Sequence, residues 1–159
     1  MKRFIGILLA VCLLMTMLPT AFAEGTEILE INNLADLKAF GDSANNGNTY
    51  SGKTVNLNTD IDMNGEEWTP ISKFAGKFNG NNHTISNFTI DATAGHGGFF
   101  NVLEWAVVED LTLTDVTATV GAFRFGTLAR SINQTSIDNV TIKDVTVTTT
   151  ASSAFVAGL

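Results

Sequence analysis

The chain has 159 residues, with nine basic side chains against sixteen acidic ones and a formal net charge of −7. That balance argues against nucleic acid and anionic membranes as partners, since both call for basic patches. A single cysteine, Cys12, leaves no pair for a disulfide within the chain, and the length suffices for one domain with a real core.

The amino end reads as an export segment. Lys2 and Arg3 precede an apolar run over residues 4–18, which is short of the roughly twenty residues a membrane span needs. Pro19 breaks the run, and Ala21-Phe22-Ala23 places small residues where a signal peptidase reads. Residues 1–23 are therefore expected to be removed. Cys12 lies inside the run behind Val11, which does not fit a lipid-attachment site. Loss of residues 1–23, with Lys2, Arg3 and Cys12, would take the mature chain to −9 and remove its only thiol. The remaining organisation is an amino-terminal strand and helix over residues 24–53, followed by repeated coils over 54–159.

Residues 27–31 alternate as a short strand. Asn33 is a helix cap with Asp36 three positions on, and Leu34, Leu37, Phe40 and Ala44 recur at helical spacing. Asn45-Asn46-Gly47-Asn48 ends the helix. From Thr54 the period changes to two: Val55, Leu57, Ile61 and Met63 alternate with polar residues. Strands are expected over 84–90, 107–120 and 136–148, which are rich in Thr, Val and Ile.

An internal repeat selects the fold. Ser86-Asn87-Phe88-Thr89-Ile90 is set above Glu109-Asp110-Leu111-Thr112-Leu113 and Asp138-Asn139-Val140-Thr141-Ile142, a polar pair before apolar–Thr–apolar in each. Thr114-Asp115-Val116-Thr117-Ala118 matches Lys143-Asp144-Val145-Thr146-Val147 in step. Steps of 23 and 29 residues suit coils of a right-handed parallel β-helix, a β-solenoid with strands about 4.8 Å apart. Leu111, Leu113, Val140 and Ile142 would point inward; Thr89, Thr112 and Thr141 would form an outward ladder. Asn87, Asp110 and Asn139 would share one corner, Asp115 and Asp144 the next. The competing architecture is an antiparallel β-sandwich, which does not call for repeated corner residues in register. The helix is expected to cap the first coil. Residues 155–159 resemble the start of a further coil, akin to Gly126-Thr127-Leu128, so the solenoid is expected to be truncated at Leu159.

Tyr50-Ser51-Gly52-Lys53-Thr54-Val55-Asn56-Leu57, Trp68-Thr69-Pro70-Ile71 and Phe74-Ala75-Gly76-Lys77-Phe78-Asn79-Gly80 resemble the opening of bacterial surface proteins with GLUG-type repeats. The resemblance covers most of residues 28–159. Gly97-Gly98-Phe99-Phe100-Asn101, Gly121-Ala122-Phe123 and Gly126-Thr127-Leu128-Ala129 follow the repeat imperfectly. It implies a β-helix in a secreted or wall-associated protein, with adhesin-like or carbohydrate-associated roles; such repeats also accompany secreted proteases whose catalytic machinery lies in another domain.

No catalytic constellation is recognised. Asp60, Asp62, Glu66 and Glu67 are the calcium candidates, since carboxylates two apart on a strand share a face; a solvated polar face is the plainer reading. His83 and His96 lack the spacing for zinc, and His83 is expected to make a structural hydrogen bond. Trp68 is expected to pack. Trp105 is expected to pack into the core, with stacking on a sugar the competing expectation. Rows of Thr-x-Thr, Thr117/Thr119 over Thr146/Thr148 with Ala92-Thr93-Ala94 beneath, are too few for an ice-binding face. The leading functional expectation is a secreted or cell-surface, non-catalytic module that needs no cofactor and binds extracellular carbohydrate or protein. Its alternative is the amino-terminal part of a secreted polysaccharide-degrading enzyme or protease-associated module. After loss of the signal no membrane contact is expected.

Overall fold

A computed structural model describes residues 27–95, 97–121, 124–151 and 154–158. The expected signal segment 1–23, Cys12 and His96 lie outside these residues. The elements are β1 (Ile28–Ile31), α1 (Leu34–Asn45), β2 (Thr54–Leu57), β3 (Ile61–Asp62), β4 (Lys77–Ala92), β5 (Phe100–Glu104), β6 (Val107–Val120), β7 (Arg124–Gly126), β8 (Ala129–Asn133), β9 (Ser136–Ile142), β10 (Val145–Thr149) and β11 (Phe155–Ala157).

Every strand pair among them is parallel. β1 lies on β2, β2 and β3 on β4, β4 on β6, and β6 on β9 and β10, while β5 pairs with β8 and β7 with β11. Parallel neighbours need a long connection between them. Here each connection is the rest of a coil, so the chain winds as a parallel β-solenoid and the antiparallel sandwich is excluded.

The register corrects the first step of the repeat. Ile85 pairs with Leu113, which pairs with Ile142, and Phe88 pairs with Val116, which pairs with Val145. Phe88 therefore belongs under Val116 and not under Leu111, and its step is 28 residues and not 23. Asn87 accordingly shares its corner with Asp115 and Asp144, and Asn82 sits beneath Asp110 and Asn139. The outward ladder is Thr84–Thr112–Thr141; Thr89 lies beneath Thr117 and Thr146. The cause is a corner signal repeated every five residues. Asn87, Asp110, Asp115, Asn139 and Asp144 all have φ between 49 and 57°, and each precedes apolar–Thr–apolar. Short amides and carboxylates tolerate this left-handed backbone, so both corners of a coil select the same residues.

β4 begins seven residues before the expected strand, inside the glycine-bearing segment Phe74–Gly80. Its glycines mark close approach of coils. A Cβ on Gly80 would lie 2.3 Å from the Asp110 carbonyl oxygen, and one on Gly76 2.4 Å from that of Tyr50. Between Asn79 and His83 the register slips by a bulge. There Asn81 turns its amide to the Leu57 carbonyl at 2.9 Å, satisfying a backbone acceptor on the coil below.

The core divides along the axis. At the amino end it is aromatic: Phe40 of α1 meets Tyr50, Phe74 and Phe78 at ring centroid distances of 5.1 to 5.8 Å, and Trp68 stacks on Phe99 at 4.6 Å. Further on it is aliphatic, with buried Leu111, Leu113, Val116, Ala118 and Val120. α1 follows its expected limits, capped by Asn33, whose side chain accepts the Asp36 N–H at 3.0 Å. Its buried face carries Leu37, Phe40, Gly41 and Ala44, and a Cβ on Gly41 would strike the Trp68 ring at 2.8 Å. Lys38 pairs with Glu66, and the Asn45 side chain accepts the Ser72 N–H at 2.8 Å, so the helix covers the coil over residues 66–74. At the other end Val140, Ile142, Val145 and Val147 are only half-buried, and Phe155 and Val156 are exposed. Ala157 pairs with Gly126, the start of the further coil expected there.

Two outcomes follow. Leu113→Asp puts an unpaired carboxylate among buried ladder residues and should cost more than about 3 kcal/mol. Thr112→Asp, on the outer face, should cost about 1 kcal/mol or less. Chemical denaturation of both reads the difference, and equal losses would contradict the inside–outside assignment. The register also stacks Asp144 on Asp115, and the Thr114 hydroxyl lies 3.3 Å from both carboxylates. Asp144→Asn removes the like-charge contact and keeps the left-handed corner, so it should stabilise by about 0.2–1 kcal/mol at low salt. The gain should shrink in high salt; a variant that is less stable at every ionic strength would contradict the repulsion.

Candidate functional site

The four calcium candidates do not converge. Asp60 and Asp62 flank buried Ile61 on β3 and both face solvent, as their spacing requires. Asp60 Oδ1 accepts from the Thr84 N–H at 2.9 Å and lies 3.0 Å from His83 Nδ1. Asp62 Oδ1 accepts from the Asn64 N–H at 2.8 Å and the Asn87 amide at 3.0 Å. Glu66 is paired with Lys38 on the helix, and Glu67 lies opposite Thr89. Asp60, Asp62 and Glu66 thus each have their own side-chain or backbone partner, Glu67 meets its neighbour through the backbone alone, and among the described residues no three His, Cys, Asp or Glu side chains are grouped to share a metal ion. His83 makes the side-chain contact expected of it, in register with Leu111.

The Thr-x-Thr rows differ from expectation on the lower coil. Beneath Thr117 and Thr119 stand Thr89 and Asp91, and not the 92–94 segment, because the register runs three residues from the expected placement. Asp91 interrupts the row with a charge.

The two tryptophans have opposite fates. Trp68 is 3% exposed, and its Nε1–H donates to the Phe99 carbonyl at 2.8 Å, which completes a packed role. Trp105 is 67% exposed, so its expected core packing is overturned. It stands at the corner between β5 and β6 with φ 57°. Lys73 and Glu104 form an ion pair beside it, and the Asn133 amide approaches Glu104 Oε1 at 3.5 Å. Lys73, by donating to Glu104 and by its charge, holds that carboxyl below the usual carboxylate range. The exposure of Trp105 was not legible in sequence, where an aromatic between Glu104 and Ala106-Val107-Val108 fits a core as well as a surface.

A separate open concavity of about 380 Å³ lies at the carboxyl end, lined by Thr127, Ile142, Asp144, Val145, Val147 and Val156. It is the half-covered interior of the last described coil, and its lining is mainly aliphatic.

Comparison with known proteins gives one partial likeness. No family model matches the chain, and no solved structure matches it. Over 130 residues the chain is 34% identical to halomucin of Haloquadratum walsbyi (strain DSM 16790 / HBSQ001), an alignment covering 70% of this chain and 1% of halomucin. The chain therefore spans a very small part of that relative's length.

Asp60 generates a pH prediction. The Thr84 N–H, then the His83 ring, lower its carboxyl below the ordinary value. A carboxyl depressed by folding stabilises the fold above its unfolded value, near pH 4, and loses that contribution as pH falls through its folded value. Asp60 is largely exposed, so the effect is modest. Melting at pH 7 and pH 3 should show the native chain losing more stability on acidification than Asp60→Asn. Identical losses would mean the contacts of Asp60 contribute nothing.

Proposed function

We propose that the chain is a secreted or cell-surface, non-catalytic module whose β-solenoid displays a binding face to extracellular carbohydrate or protein. The observation that carries this reading is the outer surface of the stack. Its rows Thr84–Thr112–Thr141 and Thr89–Thr117–Thr146 repeat short hydroxyl side chains coil after coil on an in-register scaffold. Repeated coils make extended, rigid surfaces suited to elongated partners. Asp60, Asp62 and Glu66 are engaged singly in hydrogen bonds and an ion pair. A likeness to a relative named as a mucin, the export-type segment 1–23 and the resemblance to GLUG-repeat surface proteins all agree with an extracellular place.

Expression with a carboxyl-terminal tag should yield material outside the cell that begins at Glu24, read by amino-terminal sequencing. That material should adhere to polysaccharide- or protein-coated surfaces and should not cleave them. Retention of Met1 on a membrane fraction would overturn the export reading, and turnover of a polysaccharide or protein substrate would overturn the non-catalytic one.

A further inference from the structure

The corner bearing Trp105 departs from the stack in a way the fold does not require. On the coil below, two residues, Ala75 and Gly76, join the bridge position Phe74 to Lys77; on the next, three residues join Leu103 to Val107. The added residue allows a left-handed position, occupied by Trp105, and the coil above repeats it with Gln134 at φ 45°. The Trp105 N–H donates to the Asn133 carbonyl at 3.0 Å, so the two corners are stacked through their backbones. An extra residue at a strand end re-aims a side chain and recurs beside functional sites.

Trp is an unfavourable choice there on two counts. A bulky side chain in the left-handed region is a conformational outlier, and an exposed indole forfeits the burial that makes aromatic residues stabilising. Among the described residues the other non-glycine left-handed positions are Asn, Asp or Gln, with one exception, Tyr50. Tyr50 is buried against Phe40 and Phe74, and that packing explains it. Trp105 has no such explanation, since Gln134 makes the same corner with a polar side chain. The residues next to Trp105 along the chain and on the coil above are polar: Glu104, paired with Lys73 and approached by the Asn133 amide, and Gln134 in register above. Ala75, on the coil below, is too short to cover an indole.

We infer that Trp105, with Glu104, Asn133 and Gln134, forms a stacking platform for a neutral extracellular glycan. The apolar C–H face of a pyranose ring lies on the indole while its hydroxyls reach the carboxylate and amide groups of the two stacked corners. A neutral ligand is specified because the chain carries a net negative charge and the cation at the platform, Lys73, is already paired with Glu104, which leaves no free positive charge there for uronic or sulfated sugars. This inference names the ligand class and site for the binding module proposed above and so rests on that reading.

The test uses the purified protein, its two tryptophans providing the signal: Trp68 is buried and Trp105 exposed. Titration with β-1,4-linked glucose and N-acetylglucosamine hexaoses and with mannan, and with polygalacturonate as the anionic counterpart, is followed by intrinsic fluorescence. At least one neutral glycan should shift the emission to the blue, and polygalacturonate should not. Trp105→Ala should weaken that binding by about tenfold or more, and Trp105→Phe by less. Trp105→Gln, which copies the corner above, should melt no lower than the native chain while losing the binding. A clear drop in its melting temperature would assign Trp105 a structural role and overturn the inference. So would a native chain whose emission no neutral glycan moves, binding that survives Trp105→Ala, or a Trp105-dependent attachment to protein-coated surfaces alone. Surface attachment indifferent to Trp105 would leave the module reading intact and defeat only this site. Failure of export would defeat the module reading and leave the titration free to report on the platform.

Discussion

Parallel, in-register stacking is the constraint on which the rest of this structure depends. Each coil satisfies its strand hydrogen bonds only through the coils above and below, so every side-chain position meets its own equivalents one level away. The interior must then be apolar at every level: Ile61, Ile85, Leu113 and Ile142 form one such column, and Phe88, Val116 and Val145 another. The corners must turn the chain at the same height each time, which is why left-handed Asn and Asp recur there. Where like residues stack, their chemistry stacks too. Asn139 donates to Asp110 at 2.7 Å, a compatible amide–carboxylate pair, whereas Asp115 and Asp144 share a single threonine hydroxyl.

A stack has two ends, and the chain treats them differently. Helix α1 lays Phe40 over Phe74 and Phe78, so the amino-terminal coils are filled by rings whose volume spans from the sheet to the helix. Gly41 is part of that design, since its missing side chain admits the edge of Trp68. Beyond Phe100 the described residues contain no helix, and the buried side chains are mainly aliphatic, such as Leu111, Leu113, Val116 and Val120, with Phe125 the buried aromatic. The last described coil offers the same aliphatic columns but covers them on one side only, which produces the open concavity beside Val145 and Val156.

Much of this was legible because period-two alternation and corner residues are local signals. The helix with its Asn33 cap, strands β2, β3 and β6, and the inward set Leu111 and Leu113 all follow from short windows. What failed was long-range or degenerate. The five-residue spacing between corners let Asn87 match Asp110 as well as Asp115, and His83 in the place of Leu111 hid the true partner of that coil. Strands β5, β8 and β11 carry no clean alternation, because Phe99, Phe100 and Asn101 are consecutively buried and β11 is exposed throughout. Asp60 and Asp62 share a face as their spacing demands, but which carboxylates find partners one coil away is set by register. Only the fold could pair Asp60 with His83, and only the fold could bring Trp105 into solvent.

The charge arrangement sets what kind of partner the outer surface can accept. Lys53 pairs with Glu27 at 2.7 Å and Lys77 with Glu109 at 2.6 Å, and Lys38 and Lys73 pair with Glu66 and Glu104. All four pairs join residues from different levels of the stack. Exposed pairs of this kind each contribute at most about 1 kcal/mol. Their larger consequence is that these four cations are already matched, while Glu30, Asp42, Glu67 and Asp91 stand exposed with no ion pair among the described residues. Arg130, too, is turned to the buried Asn101, its Nε donating to Oδ1 at 2.6 Å. Arg124 and Lys143 are the exposed cations without an ion pair among the described residues, so the surface left for a partner is hydroxyl- and amide-rich with an excess of carboxylate. Such a surface repels polyanions at a distance and offers hydrogen bonds at contact, which matches uncharged, hydroxyl-rich chains better than any acidic one.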